Sequence, residues 1–97
     1  MNNYSCASYG SGYDRVYTFT APNSGQATAD LDCIDWNDDY DVFILEGACH
    51  PNLCIAYGAS SSCDTVNFQV TAGMSYWIVV EEYMNPWDDF RVTLTCP

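Results

Sequence analysis

Lysine is absent from the chain, and arginine occurs only at Arg15 and Arg91 against thirteen Asp and Glu, a formal charge of −11 over 97 residues. A phosphate backbone needs basic contacts that such a surface cannot supply, so no nucleic acid is expected as a partner. Anionic membranes are disfavoured on the same grounds. Since no apolar run approaches the ~18 to 20 residues that span a bilayer, no membrane insertion is expected either. No paired C-x-x-C motif is present to hold zinc tetrahedrally. The single histidine, His50, sits inside Cys49-His-Pro-Asn-Leu-Cys54 beside Pro51, a poor place for the base that a Ser-His-Asp or Cys-His arrangement requires. Pairs of carboxylates could be drawn from any of the acids, so their abundance is not evidence for glycoside hydrolysis. The chain is expected not to be an enzyme. The opening Met1-Asn-Asn-Tyr4 has neither a basic start nor an apolar stretch. The expectation is a leader removed and replaced by Met1, or a segment excised from a longer chain.

What is present is apolar: 48% hydrophobic residues with 15% aromatics, ample surface to offset the entropy of ordering. A length of 97 residues suits one compact core. Six cysteines in so short a chain indicate disulfides formed in an oxidising compartment, hence a secreted, extracellular or cell-surface location. Fifteen pairings are possible for six cysteines. Cys49 and Cys54 are spaced to close a local loop, Cys6 and Cys96 sit at the two ends, and Cys33 and Cys63 remain as the third pair.

Residues 1–14 are polar, rich in Gly and Ser and dotted with Tyr, the pattern of an N-terminal arm; residues 15–97 form the single domain. In 15–21, Tyr17 and Phe19 alternate with Thr18 and Thr20. In 26–33, Ala27, Ala29, Leu31 and Cys33 oppose Thr28, Asp30 and Asp32. Val42-Phe-Ile-Leu45 is apolar on both sides, as a strand covered on both faces should be. Ile55 to Tyr57 forms a short segment, and Val66, Phe68 and Val70 alternate with polar residues. Tyr76, Ile78 and Val80 oppose Trp77 and Val79, and Phe90, Val92, Leu94 and Cys96 share the inward side of a closing strand. About seven strands with period-two alternation, separated by Gly, Pro, Asn and Ser turns and showing no helical period, predict an all-β fold. The expected form is an antiparallel β-sandwich or jelly roll, stapled by disulfides.

The segments Arg15-Val-Tyr-Thr-Phe-Thr-Ala-Pro-Asn-Ser-Gly25, Tyr40-Asp-Val-Phe-Ile-Leu45, Val66 to Tyr83 with its Thr71-Ala-Gly-Met-Ser-Tyr76 turn, and Phe90-Arg-Val-Thr-Leu-Thr95 carry a family likeness. Over about residues 15 to 96 the chain resembles the bacterial pre-peptidase C-terminal (PPC) domain, a secreted β-sandwich appended to extracellular enzymes. The resemblance implies a noncatalytic accessory module, often calcium-associated, that aids secretion or attachment to polymers. The family usually carries a Gly near the position of Glu82.

Asp35-Trp-Asn-Asp-Asp-Tyr-Asp41 places oxygen ligands at Asp35, Asn37, Asp39 and Asp41, with Glu46 eleven residues after the first. Calcium (Ca2+) takes six to eight hard oxygens, and this spacing is similar to an EF-hand loop. Tyr40 stands where that loop needs Gly and strand formers follow, so the expected site is a calcium held in a loop of the sandwich. Asp88 and Asp89, with Glu81 and Glu82, would complete it or form a second. The simpler reading is a solvated acidic loop, against which stands the mutual repulsion of Asp30, Asp32, Asp35, Asp38, Asp39 and Asp41. Trp36, Trp87, Tyr83, Tyr9 and Tyr13 lie in or near loops, where aromatic faces can stack on sugar rings or on a neighbouring subunit. Tyr17, Phe19, Phe43, Phe68, Tyr76 and Phe90 are expected in the core. The functional expectation is an attachment module for extracellular polysaccharide or protein polymers. The alternative is a structural subunit that assembles with copies of itself into a filament or surface layer.

Overall fold

The structure, a computed structural model, describes residues 13–33, 40–60, 65–82 and 90–97. Seven strands account for most of them: β1 (Tyr13–Thr20), β2 (Gly25–Cys33), β3 (Tyr40–Glu46), β4 (Cys54–Ser60), β5 (Thr65–Val70), β6 (Ser75–Glu82) and β7 (Phe90–Thr95). The only helical turn among the described residues is a 3-10 turn at Pro51–Leu53. No described helix is long and apolar enough to cross a membrane. The strands form two antiparallel sheets, ordered β1-β6-β3-β4 and β5-β2-β7. β1 starts at Tyr13, so the last two residues of the expected arm already belong to the sheet.

The alternation along each strand decides which side chains meet. From the four-stranded sheet Val42, Ile44, Tyr76, Ile78 and Val80 point inward, and from the three-stranded sheet Ala27, Ala29, Leu31, Val66, Phe68 and Val70 close on them. Phe19, Ala56, Val92 and Leu94 pack at the margin. β5 shows the pattern most simply, its residues alternating between exposed and buried along the whole strand. At the centre Tyr76 stacks on Phe19 with ring centroids 5.5 Å apart, and Phe68 lies 6.0 Å from Tyr76 and 6.2 Å from Phe19. Aromatic groups at such offsets contribute beyond their buried area.

Tyr17, expected in the core, is 43% exposed. It lies on β1, an edge strand of the four-stranded sheet, which overhangs a layer of only three strands. Phe19, two residues on, still reaches the core. The Phe90 side chain lies outside those described, and Cys96, expected inward on the closing strand, stands exposed beyond the end of β7.

One end of the body is tied by short turns. Gly73, at φ +84°, turns the chain so that Met74 N donates to Thr71 O at 3.0 Å, and Gly73 N donates to Ala21 O at 2.8 Å. Ser24 Oγ accepts from Ala72 N at 2.9 Å, and Asn23 Nδ2 donates to Pro97 O at 3.0 Å. The other end holds the strand ends Tyr13, Cys33, Tyr40, Ser60, Thr65, Glu82 and Phe90.

Candidate functional site

Two cross-strand rungs close the four-stranded sheet at that second end. The outermost pairs Tyr13 with Glu82 and Glu82 with Tyr40; the next pairs Asp14 with Glu81 and Glu81 with Asp41. Three acidic residues from adjacent strands therefore share one rung by backbone register, at spacings of ~4.8 Å between strands, Glu81 and Asp41 being on the side of the sheet away from the core. Glu81, on the central strand of the three, is 2% exposed with Oε2 shielded from solvent, and Asp41 is half-buried. Asp14 is placed by backbone register alone.

Burying an ionised carboxylate is costly unless hydrogen bonds or a counter-charge compensate, and like charges in one rung add repulsion. Among the residues whose side chains are described, no three His, Cys, Asp or Glu converge closely enough to hold a metal.

The other candidate ligands belong to two segments whose flanking strand ends are paired. Segment 34–39 leaves β2 at Cys33 and enters β3 at Tyr40; segment 83–89 leaves β6 at Glu82 and enters β7 at Phe90. Cys33 is the cross-strand partner of Phe90, and Tyr40 of Glu82. Of the expected ligands, Asp41 is placed in the acidic rung, whereas Asp35, Asn37, Asp39, Asp88 and Asp89 lie outside the described residues. The same holds for Trp36, Trp87, Tyr83 and Tyr9; Tyr13 is described by its backbone only.

Charge on the three-stranded sheet is arranged differently. Asp32 is the backbone register partner of Arg91, and Asp30 Oδ1 accepts from Thr65 Oγ1 at 3.0 Å. His50 is exposed and its Nδ1 accepts from Asn52 N at 3.1 Å, capping the 3-10 turn.

Cysteine pairing departs from expectation. Cys49 and Cys96 are exposed free thiols, so the closures Cys49 to Cys54 and Cys6 to Cys96 are not formed. Cys54 is itself disulfide-bonded, which rules out both of those as its partner. The reason is local: the register of β3 against β4 shifts between Ile44 and Leu45, so that Cys54 packs with Phe43, Leu45, Val79 and Trp77 on the outer side of the sheet. Cys49 remains in the exposed connection. This outer cluster was not foreseen as a unit, although the double-sided apolarity of Val42 to Leu45 signalled it. Asp14 was missed as a member of the acidic rung, because only strand register aligns it with Glu81.

No family model, curated protein or solved structure matches the chain.

Proposed function

We propose that the chain is a noncatalytic, secreted attachment module of the PPC-like kind, whose acidic end binds calcium and presents aromatic side chains to an extracellular polymer. The reading rests on one observation: Asp14, Glu81 and Asp41 share one rung by backbone register, with Glu81 buried, one residue in from the strand ends Glu82 and Tyr40 that adjoin in sequence the segments carrying Asp35, Asn37 and Asp39, and Asp88 and Asp89. A divalent ion there would add positive charge to the carboxylate rung, and Trp36, Trp87 and Tyr83 follow or precede in sequence the strands that form it. His50, engaged as a cap, leaves little for catalysis to use.

Calorimetric melting in millimolar calcium and in chelator tests the reading. Calcium at about a hundredfold its Kd would add ~2.7 kcal/mol, a rise on the order of 10 °C for a domain of this size. Identical melting curves would remove the cation from the proposal. Glycan-array binding by the calcium-loaded monomer would then name the polymer.

A disulfide-stapled fold belongs to the same proposal. Cys54 is disulfide-bonded, which supports it.

The second reading is a self-assembling subunit. It is favoured by β1, an eight-residue edge strand with Val16 and Tyr17 exposed at 45% and 43%, a surface suited to strand addition. Concentration-dependent fibres in electron micrographs would favour it over the attachment module.

A further inference from the structure

Among the described residues each sheet ends in two edge strands, β1 and β4 in one and β5 and β7 in the other. An edge strand presents unpaired N–H and C=O groups to any chain that comes alongside, and proteins guard such edges with charged side chains, proline or bulges. β1 carries Asp14 and Arg15, β7 carries Arg91, and β4 has a break in its register. β5, Thr65-Val-Asn-Phe-Gln-Val70, pairs with β2 in unbroken register and has no charge and no proline, in a chain of net charge −11. It is the one unguarded edge of the four.

A groove of about 510 Å³, a volume typical of ligand sites, runs along this edge. Asn67, Phe68 and Gln69 all line it. Consecutive side chains on a strand point to opposite faces, so a groove touched by three in a row lies against the margin of the strand, where its main chain is presented. Facing β5 across the groove are Ile55 and Ala56 of β4. Leu45 pairs with Cys54 and Ile44 with Ala56, so Ile55 is the extra residue of the bulge, and the bulge aims its apolar side chain, 42% exposed, at the groove. Thr28 Oγ1 donates to Asn67 Oδ1 at 2.8 Å, which leaves Nδ2 as the donor that Asn67 offers. The amides of Gln69 and of Gln26, its cross-strand partner, stand exposed beside it. Glu46, half-buried, is the one ionisable side chain in the lining. The one aromatic there, Phe68, is 5% exposed, so a sugar ring would find no face to stack on.

We propose that the groove takes an extended, cationic peptide segment of a partner protein, added as a further strand beside β5. Its apolar residues would meet Ile55, Ala56 and Phe68, its polar residues Asn67 and Gln69, and a Lys or Arg would stand beside Glu46. Main-chain hydrogen bonds give such a complex affinity, and the alternating side chains give it specificity. A basic strand is selected over a neutral or acidic one by Glu46 at short range and by the charge of −11 at long range. The inference rests on the attachment reading in that it makes the polymer a protein, and the cation has no part in it.

The test uses blocked octapeptides in which Val alternates with Thr, ending in Lys, Gln or Glu, titrated in chelator so that calcium plays no role. In the free protein the alternate β5 amides that point away from β2 should exchange their hydrogens rapidly. The Lys-ended peptide should slow them several-fold and bind more tightly than the Gln-ended one, with the Glu-ended one weakest. Glu46→Gln should abolish the preference for Lys and leave binding of the Gln-ended peptide unchanged. The Lys-ended peptide N-methylated throughout keeps its charge but cannot pair with an edge, so it should protect nothing. Amides already protected in the free protein would show the edge to be occupied and overturn the proposal. No protection by any octapeptide, or equal binding of the N-methylated one, would overturn it too. Cellohexaose shifting the β5 amide resonances when no octapeptide does would assign the groove to a glycan instead. Because every arm is run without calcium, an absent calcium response and an empty groove are separate results.

Discussion

The backbone N–H of Thr71 donates to the phenolic oxygen of Tyr76 at 2.8 Å. The ring is fully buried between Phe19 and Phe68, and its one polar atom is spent on the turn that leads into its own strand. Tyr76→Phe keeps the ring packing and removes the acceptor, so it should lower stability by ~0.5 to 1.5 kcal/mol in urea unfolding with the m-value unchanged. Tyr76→Ala, which empties the centre of the core, should cost ~3 to 5 kcal/mol. A phenylalanine variant as stable as the wild type would mean the bond contributes nothing.

The two glycines that flank this end should respond differently to alanine. Gly73 has φ +84° with no heavy atom within 4 Å of the position a Cβ would take, so Gly73→Ala carries backbone strain alone, about 1 kcal/mol. Gly25 has φ +147° and its Cβ would meet Pro97 Cβ at 2.9 Å. Gly25→Ala should therefore be the more damaging, and deleting Pro97 in that background should recover part of the loss. If the two variants melt alike, the close approach of the C-terminus at Gly25 is of no energetic consequence.

Phe43 offers a sharper measure, because its strand is apolar on both sides. A phenylalanine on an uncovered face would lose little on truncation, whereas one at 0% exposure should cost ~3 to 5 kcal/mol as Phe43→Ala. Tyr57, stacked on Phe43 at 6.5 Å but 45% exposed, should cost far less. Equal losses in chemical denaturation would place both residues at the same depth.

The strands were legible because alternation is a local property: Val66, Phe68 and Val70 on β5, or Tyr76, Ile78 and Val80 on β6, declare their inner face within a few residues. Burial of Val42 through Leu45 on both sides could also be read, since such runs occur only where two layers enclose a strand. Tyr17 misled because alternation says which face a residue takes and not whether the opposite sheet extends that far. The cysteines misled for a related reason. Spacing brought Cys49 and Cys54 together along the chain, while a one-residue register shift at Ile44 and Leu45 turned Cys54 to the outer face. Asp14 joined the acidic rung through the pairing of β1 with β6, a contact between residues far apart in sequence that no local pattern encodes.

The free thiols carry a simple consequence. In the native, unreduced protein Cys49 and Cys96 should alkylate rapidly and Cys54 should not. Cys49→Ser should leave the melting temperature within experimental error, whereas Cys54→Ser should lower it, since a bridge of typical strength contributes ~2 to 4 kcal/mol. Protection of Cys49 in native alkylation would show that the thiol is bonded after all.

Glu81 allows the cation reading to be tested in both directions at once. Without calcium, Glu81→Gln removes a charge from the Glu81 and Asp41 rung, and its melting temperature in chelator sets the baseline against which the calcium response is read. With calcium, the same change removes a charged ligand or a close electrostatic neighbour of the ion, and the calcium-induced rise should shrink to well under half. Asp41→Asn should behave alike. Asp30→Asn, an exposed position bonded to Thr65 on the other sheet, should leave the calcium response intact while losing a little baseline stability. The decisive quantity is the difference between melting temperatures with and without calcium, because a merely structural role for Glu81 would lower both together and leave that difference unchanged.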